Sequence, residues 1–325
     1  MFNQDFLALS SSYAQTMEEE ILPFLQSLEK TTLLEVEEGK KLYCVSYAPP
    51  EPRGTVVLVH GFTENAYKYA ELIFSLLKNG YCVLAYDQRG HGRSWQPKDL
   101  QDHSVVHVDH FQDYVDDLRK VCQRLLTPLP KPWMLFAHSM GGAVAALFLE
   151  QHPEVFSRVV LSAPMIAPNT GGVPAFGASL LCKYANAIGH GNRHPFFMKP
   201  YAGPENFDTS PATCPERFAW YDAVKAARKE FQSSVPSYNW VMESIHVTKK
   251  ILAPGELEKI VCPLRLYSAE TDFSVLPDPQ RQFIERVAKG ALTLVKGARH
   301  EIFRSTDEVF FPWWHEVLGY YAEQK

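Results

Sequence analysis

The residue most able to do chemistry is Ser139, at the junction between two unlike segments. Residues 133–138 form an apolar run typical of a buried strand, and an Ala- and Leu-rich run typical of a helix follows. A chain that turns this sharply holds the junction residue in a strained conformation, with its side chain above the sheet. Gly141 and Gly142 let the helix pass close to the strands. Ser139 is therefore a candidate nucleophile, and the Met140 N–H in the first helical turn can face an anion bound there.

The serine motif alone leaves other interpretations open. A Ser-x-Gly sequence also occurs at helix N-caps and in loops. The first glycine of the usual Gly-x-Ser-x-Gly pattern is Ala137 here, one methyl group larger. We interpret Ala137 as a tolerated variant. A serine hydroxyl is also a weak nucleophile without a base, so the assignment depends on partners elsewhere in the chain.

Two later loops supply a carboxylate and an imidazole. Asp272 follows an apolar run at 264–268, and His300 follows another at 291–295. Carboxyl ends of parallel strands meet at one edge of a sheet, which is also where Ser139 is expected. The order Ser, Asp, His is that of the α/β-hydrolases. Glu270 is the nearest rival for the acid.

A second backbone donor is expected after the first buried strand. The sequence His60-Gly61-Phe62 follows residues 55–59, and the Phe62 N–H would pair with that of Met140 to hold an oxyanion. The alternative is that Gly61 merely permits a turn. We expect His60 and His91 to order this loop and the next one, and His138 to pack beside the nucleophile.

Other features of the sequence give weaker indications of function. The segment that contains His103, His107, Asp109 and His110 could suggest a metal site, but no matching distant ligands are evident, and a polar helix start is the better interpretation. The formal net charge of -5 gives no basic stripe for nucleic acid. The six cysteines are scattered, which favours free thiols in a reducing, cytoplasmic compartment. No signal peptide or membrane span is recognised, and peripheral contact with the inner membrane stays open.

The order of elements predicts an α/β fold. Apolar strand runs at 55–59, 81–86, 133–138, 159–163, 264–268 and 291–295 alternate with helical runs, which indicates a mostly parallel, doubly wound sheet. A hairpin at 32–36 and 41–47 adds antiparallel edge strands. Helices are expected at 13–28, 67–79, 111–126, after Ser139, at 279–288 and at 307–321.

Between 164 and 251 this alternation stops. We expect a mainly helical cap there, inserted into a core formed by residues 1–163 and 252–325. Its aromatic residues are candidates to line an acyl channel, above all Phe196, Phe197, Trp220 and Trp240. Four cations in the cap could meet a phosphodiester: Arg193, Lys199, Arg217 and Lys225.

Together these motifs resemble the monoglyceride lipase and lysophospholipase branch of the α/β-hydrolase superfamily. The likeness covers most of residues 35–320 and rests on His60-Gly61-Phe62, on Asp87-x-Arg89-Gly90-His91-Gly92-x-Ser94, on His138-Ser139-Met140-Gly141-Gly142 and on the Asp272 and His300 loops. Segments 107–118 and 236–244 are similar to bacterial lysophospholipases in particular.

The resemblance implies hydrolysis of one acyl ester on glycerol or glycerophosphate through an acyl-Ser139 intermediate, without metal or organic cofactor. His300 would act as base and then as acid. Two alternatives remain: a broader carboxylesterase or serine peptidase, and a non-catalytic ligand-binding member. The sequence sets neither the head group nor the oligomeric state.

Overall fold

The computed structural model describes residues 3–323, and a single large sheet organises them. Ten strands are present in this part of the chain. In chain order they are β1 (Lys30–Glu37), β2 (Lys40–Tyr47), β3 (Thr55–Val59), β4 (Cys82–Tyr86), β5 (Val105–Val106), β6 (Trp133–His138), β7 (Arg158–Ser162), β8 (Val235–Pro236), β9 (Leu264–Thr271) and β10 (Gly290–Arg299). Eight of them form the main sheet, in the order β1-β2-β4-β3-β6-β7-β9-β10.

The sheet is mostly parallel, which confirms the predicted fold class. β4, β3, β6, β7, β9 and β10 run parallel to one another, while β1 and β2 form an antiparallel hairpin at one edge. The central strands β3, β4 and β7 are buried along their whole length, as strands covered on both faces must be. Gly39 closes the hairpin with φ +73°, a conformation that favours glycine.

Helices cover both faces of the sheet. They are α1 (Tyr13–Thr16), α2 (Leu22–Leu28), α3 (Ala70–Lys78), α4 (Gln112–Val121), α5 (Met140–Gln151), α6 (Ala175–Ala187), α7 (Pro215–Ala227), α8 (Tyr238–Ile251), α9 (Pro277–Glu285) and α10 (Asp307–Ala322). One apolar core contains side chains of α4, α5 and α9, and a second contains those of α1, α2, α3 and α10. The sheet is therefore doubly wound.

Several elements differ from the sequence prediction in extent. The single helix expected at 13–28 is interrupted by a wider π-helical turn, Met17–Ile21, and Pro23 lies in the first turn of α2, where a missing N–H is tolerated. The strands β9 and β10 also run three to four residues beyond their apolar segments. These extensions carry the chain directly to Asp272 and His300.

Segment 164–251 contains α6, α7 and α8, short 3-10 helices and the strand β8. β8 pairs in parallel with β5, a two-residue contact too short to give a sequence pattern. Asn239 Nδ2 also donates to the carbonyl oxygens of Val108 (2.6 Å) and Asp109 (2.9 Å). The histidine-rich stretch that could have suggested a metal site therefore joins this segment to the rest of the chain.

The close approach of α5 to the sheet gives a stability prediction. A Cβ at Gly141 would meet the carbonyl oxygens of Val59 and His60, the second at 2.5 Å, so a backbone shift is required. We expect Gly141→Ala to lower the free energy of unfolding by about 1–3 kcal/mol, measured by urea denaturation. Gly319→Ala in α10 is the control, because its Cβ would meet nothing within 4 Å. Equal stability of Gly141→Ala and wild type would contradict this packing.

Candidate active site

Ser139 lies at the turn between β6 and α5 in a strained conformation. Its φ is +51° and ψ -120°, and the residue is 7% exposed. The turn is held by backbone hydrogen bonds from Ser139 N–H to Ser162 O (3.1 Å) and from Met165 N–H to Ser139 O (2.8 Å). Ala137 is wholly buried between neighbouring strands, so its methyl group is accommodated in the core.

The three residues predicted as nucleophile, base and acid are brought together. His300 Nε2 lies 2.8 Å from Ser139 Oγ, and His300 Nδ1 lies 2.7 Å from Asp272 Oδ2. A carboxylate can only accept, so Nδ1 carries the imidazole proton and Nε2 presents its lone pair to the serine hydroxyl. This is the hydrogen-bond chain by which a histidine activates a serine.

Asp272 is held as an anion by its surroundings. Burial raises the pKa of its carboxyl, but the His300 hydrogen bond and the N–H groups of Ser274 and Val275 outweigh it, and the pKa is lowered. Glu270, the rival acid, is exposed and accepts the Gly297 N–H at 2.8 Å. The structure therefore brings Asp272 and not Glu270 to the histidine.

Two backbone N–H groups next to Ser139 are candidates to bind an oxyanion. Among the described residues, no hydrogen-bond acceptor is found for the N–H groups of Phe62 and Met140. Gly61 brings the loop close, since a Cβ there would lie 3.0 Å from Ser139 Cβ. Glu64 Oε2 accepts the Gly61 N–H at 2.6 Å and so holds the loop in place.

Buried histidines support the surrounding loops. His60 Nε2 accepts the Gln88 N–H at 2.8 Å, so its Nδ1 is the protonated nitrogen and donates to Gly61 O (2.7 Å). His138 Nδ1 donates to Ser162 O (3.0 Å), and its ring packs 4.9 Å from that of His300. Burial lowers the pKa of His138 to about 4, and that of His91 to about 3. Burial also lowers the pKa of His60, so neutral imidazole is favoured at all three positions at pH 7.

Ser139 opens into a cavity of about 660 Å³. Its lining is dominated by apolar side chains, among them Met165, Val173, Leu181, Tyr238, Val241 and Val275. The described residues that line it include no Asp, Glu, Lys, Arg or His. Such a lining suits an uncharged chain and gives a buried charge no partner.

Only two of the four aromatic residues predicted to bind substrate line this cavity, Phe197 and Trp240. Phe196 lies outside the lining, 80% exposed, and packs edge-on against Phe197. Trp220 lies in the core on the other face, stacked on Tyr67, and donates from Nε1 to Glu18 Oε1 at 2.9 Å. The structure therefore places Phe196 and Trp220 outside the lining of this cavity, unlike Phe197 and Trp240.

The cations of segment 164–251 are also placed differently from the prediction. Arg217 is buried and paired with Glu71 (3.2 Å) and Asp307 (2.7 Å), and Lys225 is paired with Glu205 at 2.6 Å. Neither is free to meet a phosphodiester. Arg193 and Lys199 are exposed.

A buried ionic network below the site was missed by sequence reasoning. Lys68 Nζ contacts Glu64 Oε1 and Glu301 Oε1, and Arg304 contacts Glu301 Oε2. Two spacings could have indicated parts of it: Glu64 and Lys68 are four residues apart, and Glu301 follows His300. No group of three or more potential metal ligands occurs within residues 3–323.

Comparison with known proteins agrees with this geometry. The model of the hydrolase family described as serine aminopeptidase, S33 matches residues 50–307. The chain belongs to this family. Among curated relatives of this S33-type hydrolase, lysophospholipase L2 of Escherichia coli K12 is 32% identical over 290 residues, which cover 82% of this chain and 79% of the relative. Monoacylglycerol lipase of Mycolicibacterium smegmatis is 25% identical, over 82% of this chain and 88% of the relative.

Solved structures share the α/β-hydrolase fold of this S33-type hydrolase. A soluble variant of monoglyceride lipase from Saccharomyces cerevisiae superposes with a TM-score of 0.68 at 22% identity, over 90% of this chain and 95% of that one. Monoacylglycerol lipase from Paleococcus ferrophilus gives a TM-score of 0.64 at 24% identity, over 86% and 97% of the two chains.

Proposed function

We propose that the protein hydrolyses the acyl ester of a monoacylglycerol or lysophospholipid through an acyl-Ser139 intermediate. The observation that carries this proposal is the Asp272–His300–Ser139 hydrogen-bond chain opening into a large uncharged cavity. The names of the relatives, lysophospholipase L2 and monoacylglycerol lipase, support the same substrate class.

In the proposed mechanism His300 Nε2 takes the Ser139 proton as Oγ attacks the ester carbonyl carbon. The carbonyl π pair becomes an oxyanion, which the Phe62 and Met140 N–H groups stabilise. Collapse of this intermediate expels the alcohol, which takes its proton from His300. Water then attacks the acyl-enzyme by the same steps and releases the fatty acid. Asp272 keeps the imidazole in the required tautomer and stabilises the imidazolium.

Segment 164–251 acts in this proposal as a cap over the acyl chain. Phe197 and Trp240 lie on it and line the cavity, together with part of α6. Because the cavity lining within residues 3–323 contains no cation, a phosphate head group would remain outside, where the exposed Arg193 and Lys199 could contact it. The acyl chain occupies the cavity, and the head group faces the opening.

The alternatives fit the site less well. An aminopeptidase must bind the ammonium group of its substrate, and none of the described residues lining the cavity is a carboxylate. A short-chain esterase would leave most of the 660 Å³ unfilled. A purely ligand-binding protein has no need of a serine at φ +51° hydrogen-bonded to a histidine.

We further propose that the cap docks on a lipid surface. Seven apolar side chains of the cap are more than a third exposed and form what we call the apolar rim: Val173, Phe176, Leu180, Leu181, Tyr184, Phe196 and Phe197. Phe176, Leu180 and Tyr184 recur every four residues on α6 and so share one face. Val173, Leu181 and Phe197 both belong to the rim and line the cavity. Within the described residues no helix is long and apolar enough to cross a membrane.

The continuity of rim and cavity favours a phospholipid bilayer as the docking partner, since a lipid substrate could then enter without crossing water. Exposed apolar patches of this kind mark interaction surfaces. The six cysteines are free and buried, which supports a reducing compartment and therefore the cytoplasmic face of the membrane.

The function is tested by measuring oleic acid released from 1-monooleoylglycerol and from lysophosphatidylcholine, beside p-nitrophenyl acetate. We expect wild type to cleave at least one lipid, and Ser139→Ala to lose at least about 10⁴-fold in rate, because the nucleophile is absent. Ser139-dependent turnover of the acetate alone would indicate a short-chain esterase. No Ser139-dependent turnover of any ester would contradict the proposal.

The acid is tested by comparing two neighbouring carboxylates. Asp272→Asn would favour the wrong tautomer of His300, and we expect kcat on a p-nitrophenyl ester to fall about 10⁴-fold at neutral pH. Glu270→Gln is the matched control and should keep wild-type kcat, because Glu270 is exposed and accepts the Gly297 N–H instead of contacting His300. Similar losses in both variants would reverse the assignment.

Docking is tested with the double variant Phe176→Ser/Leu180→Ser. We expect binding to phosphatidylcholine vesicles in sedimentation assays to weaken at least about tenfold, because two large apolar contacts are lost. Hydrolysis of a soluble short-chain ester should be unchanged. Leu33→Ser, which removes an exposed leucine on the edge strand β1, is the control. Equal vesicle binding by wild type and the double variant would rule out this surface.

A further inference from the structure

Below Ser139, one lysine joins two parts of the site that are far apart in sequence. Lys68 Nζ lies 3.0 Å from Glu64 Oε1 and 2.5 Å from Glu301 Oε1. All three side chains are 7% exposed or less. Lys68 belongs to the short 3-10 helix Ala66–Tyr69, which the side chain of Asn65 caps by accepting the Lys68 N–H at 3.2 Å.

One end of this bridge holds the loop of the proposed oxyanion donors. The other oxygen of the first carboxylate, Glu64 Oε2, accepts the Gly61 N–H at 2.6 Å and the Tyr69 hydroxyl at 2.5 Å. Gly61 directly precedes Phe62, whose N–H has no acceptor among the described residues. The Glu64 carboxylate, together with the His60 hydrogen bond to Gly61 O, therefore holds the Phe62 amide in position.

The other end holds the loop of the proposed base. Glu301 follows His300, and its backbone N–H donates to Pro211 O at 2.9 Å. Its second carboxylate oxygen, Oε2, contacts Arg304 Nη1 at 2.5 Å, and Arg304 Nη2 donates to Phe218 O at 3.2 Å. Both oxygens of Glu301 are thus occupied by cations.

The four charges balance. Burial raises the pKa of Glu64, but Lys68 outweighs it, and the pKa lies well below its ordinary value; Lys68 and Arg304 do the same for the pKa of Glu301. Two carboxylates and two cations therefore form a neutral buried network. Removing Lys68 alone would leave two buried carboxylates with only Arg304 to balance them, which is strongly unfavourable.

We propose that Lys68 is a positioning residue that sets the distance between the Phe62 amide and His300. It touches no substrate and acts through Glu64 on the Gly61–Phe62 backbone and through Glu301 on the His300 backbone. The inference rests on the proposed serine-hydrolase mechanism. We expect Lys68 to affect stabilisation of the transition state and not binding of the ester, because an ester in the cavity contacts none of these charges.

The test is steady-state hydrolysis of a p-nitrophenyl ester by Lys68→Met. We expect kcat to fall about 10- to 100-fold with KM within about twofold of wild type, because small misplacements of reacting groups cost this much in rate. Inhibition by a long-chain trifluoromethyl ketone should weaken by a similar factor. That inhibitor forms a bond from its carbonyl carbon to Ser139 Oγ, the serine proton passes to His300, and the resulting oxyanion needs the same two amides.

Three further variants separate positioning from stability. Lys68→Arg should recover most of kcat, because it keeps a cation between the two carboxylates. Lys68→Met/Glu301→Gln removes one charge of each sign, so the network stays neutral and the fold is retained, but the bridge is absent and kcat should remain low. Lys78→Met is the control on the adjacent helix, because Lys78 is exposed and lies over the ring of Phe24, away from the site.

Two results would overturn the inference. One is a folded Lys68→Met variant with the kcat and inhibitor affinity of wild type. The other is wild-type kcat in the double variant, which would mean that Lys68 serves only to balance the charge of the network. Failure of the proposed serine-hydrolase mechanism is distinguishable, since wild type itself would then show no Ser139-dependent hydrolysis of any ester.

Discussion

The tight packing of the first turn of α5 against the sheet is the constraint on which the site depends. Added Cβ atoms at Gly141 and Gly142 would meet the backbone at the end of β3 and the side chain of Pro164. Because the helix starts this close, the chain must reverse at Ser139, which takes φ +51°. That reversal lifts Oγ out of the sheet and leaves the Met140 N–H with no acceptor in the described part of the chain. The nucleophile and one anion-binding amide are therefore products of the same close approach.

The parallel sheet supplies the rest of the geometry. β6, β9 and β10 end at the same edge, so residues more than 100 positions apart converge on one point. Below that point lies a neutral ionic network, and above it lies a cavity whose described lining carries no charge. This separation is physically coherent, because an apolar cavity excludes water and strengthens every electrostatic interaction at the nucleophile. The charged side chains of this network contact the loops that carry Phe62 and His300, and none of the described cavity-lining residues is charged.

Arg217, a cation of segment 164–251, is likewise paired with carboxylates away from the cavity lining. Arg217 is wholly buried between Glu71 and Asp307 and ties α7 to α3 and α10. It therefore stabilises the attachment of this segment to the core, and the cavity remains available for an acyl chain. The apolar rim shares Val173, Leu181 and Phe197 with the cavity lining, so in the proposed docking mode a lipid would enter the cavity through this rim.

The sequence alone was sufficient to predict the doubly wound sheet and to choose Ser139, Asp272 and His300 as candidates. Strand periodicity, turn residues and the order of motifs can all be identified without knowing which distant residues pack together. It could not separate Trp240, which lines the cavity, from Trp220, which stacks in the core, since both occur in similar aromatic helical segments. It also could not show that Lys68 joins two loops more than 230 residues apart. Only the tertiary structure decided these points, because the burial and partners of a side chain depend on distant residues that pack against it.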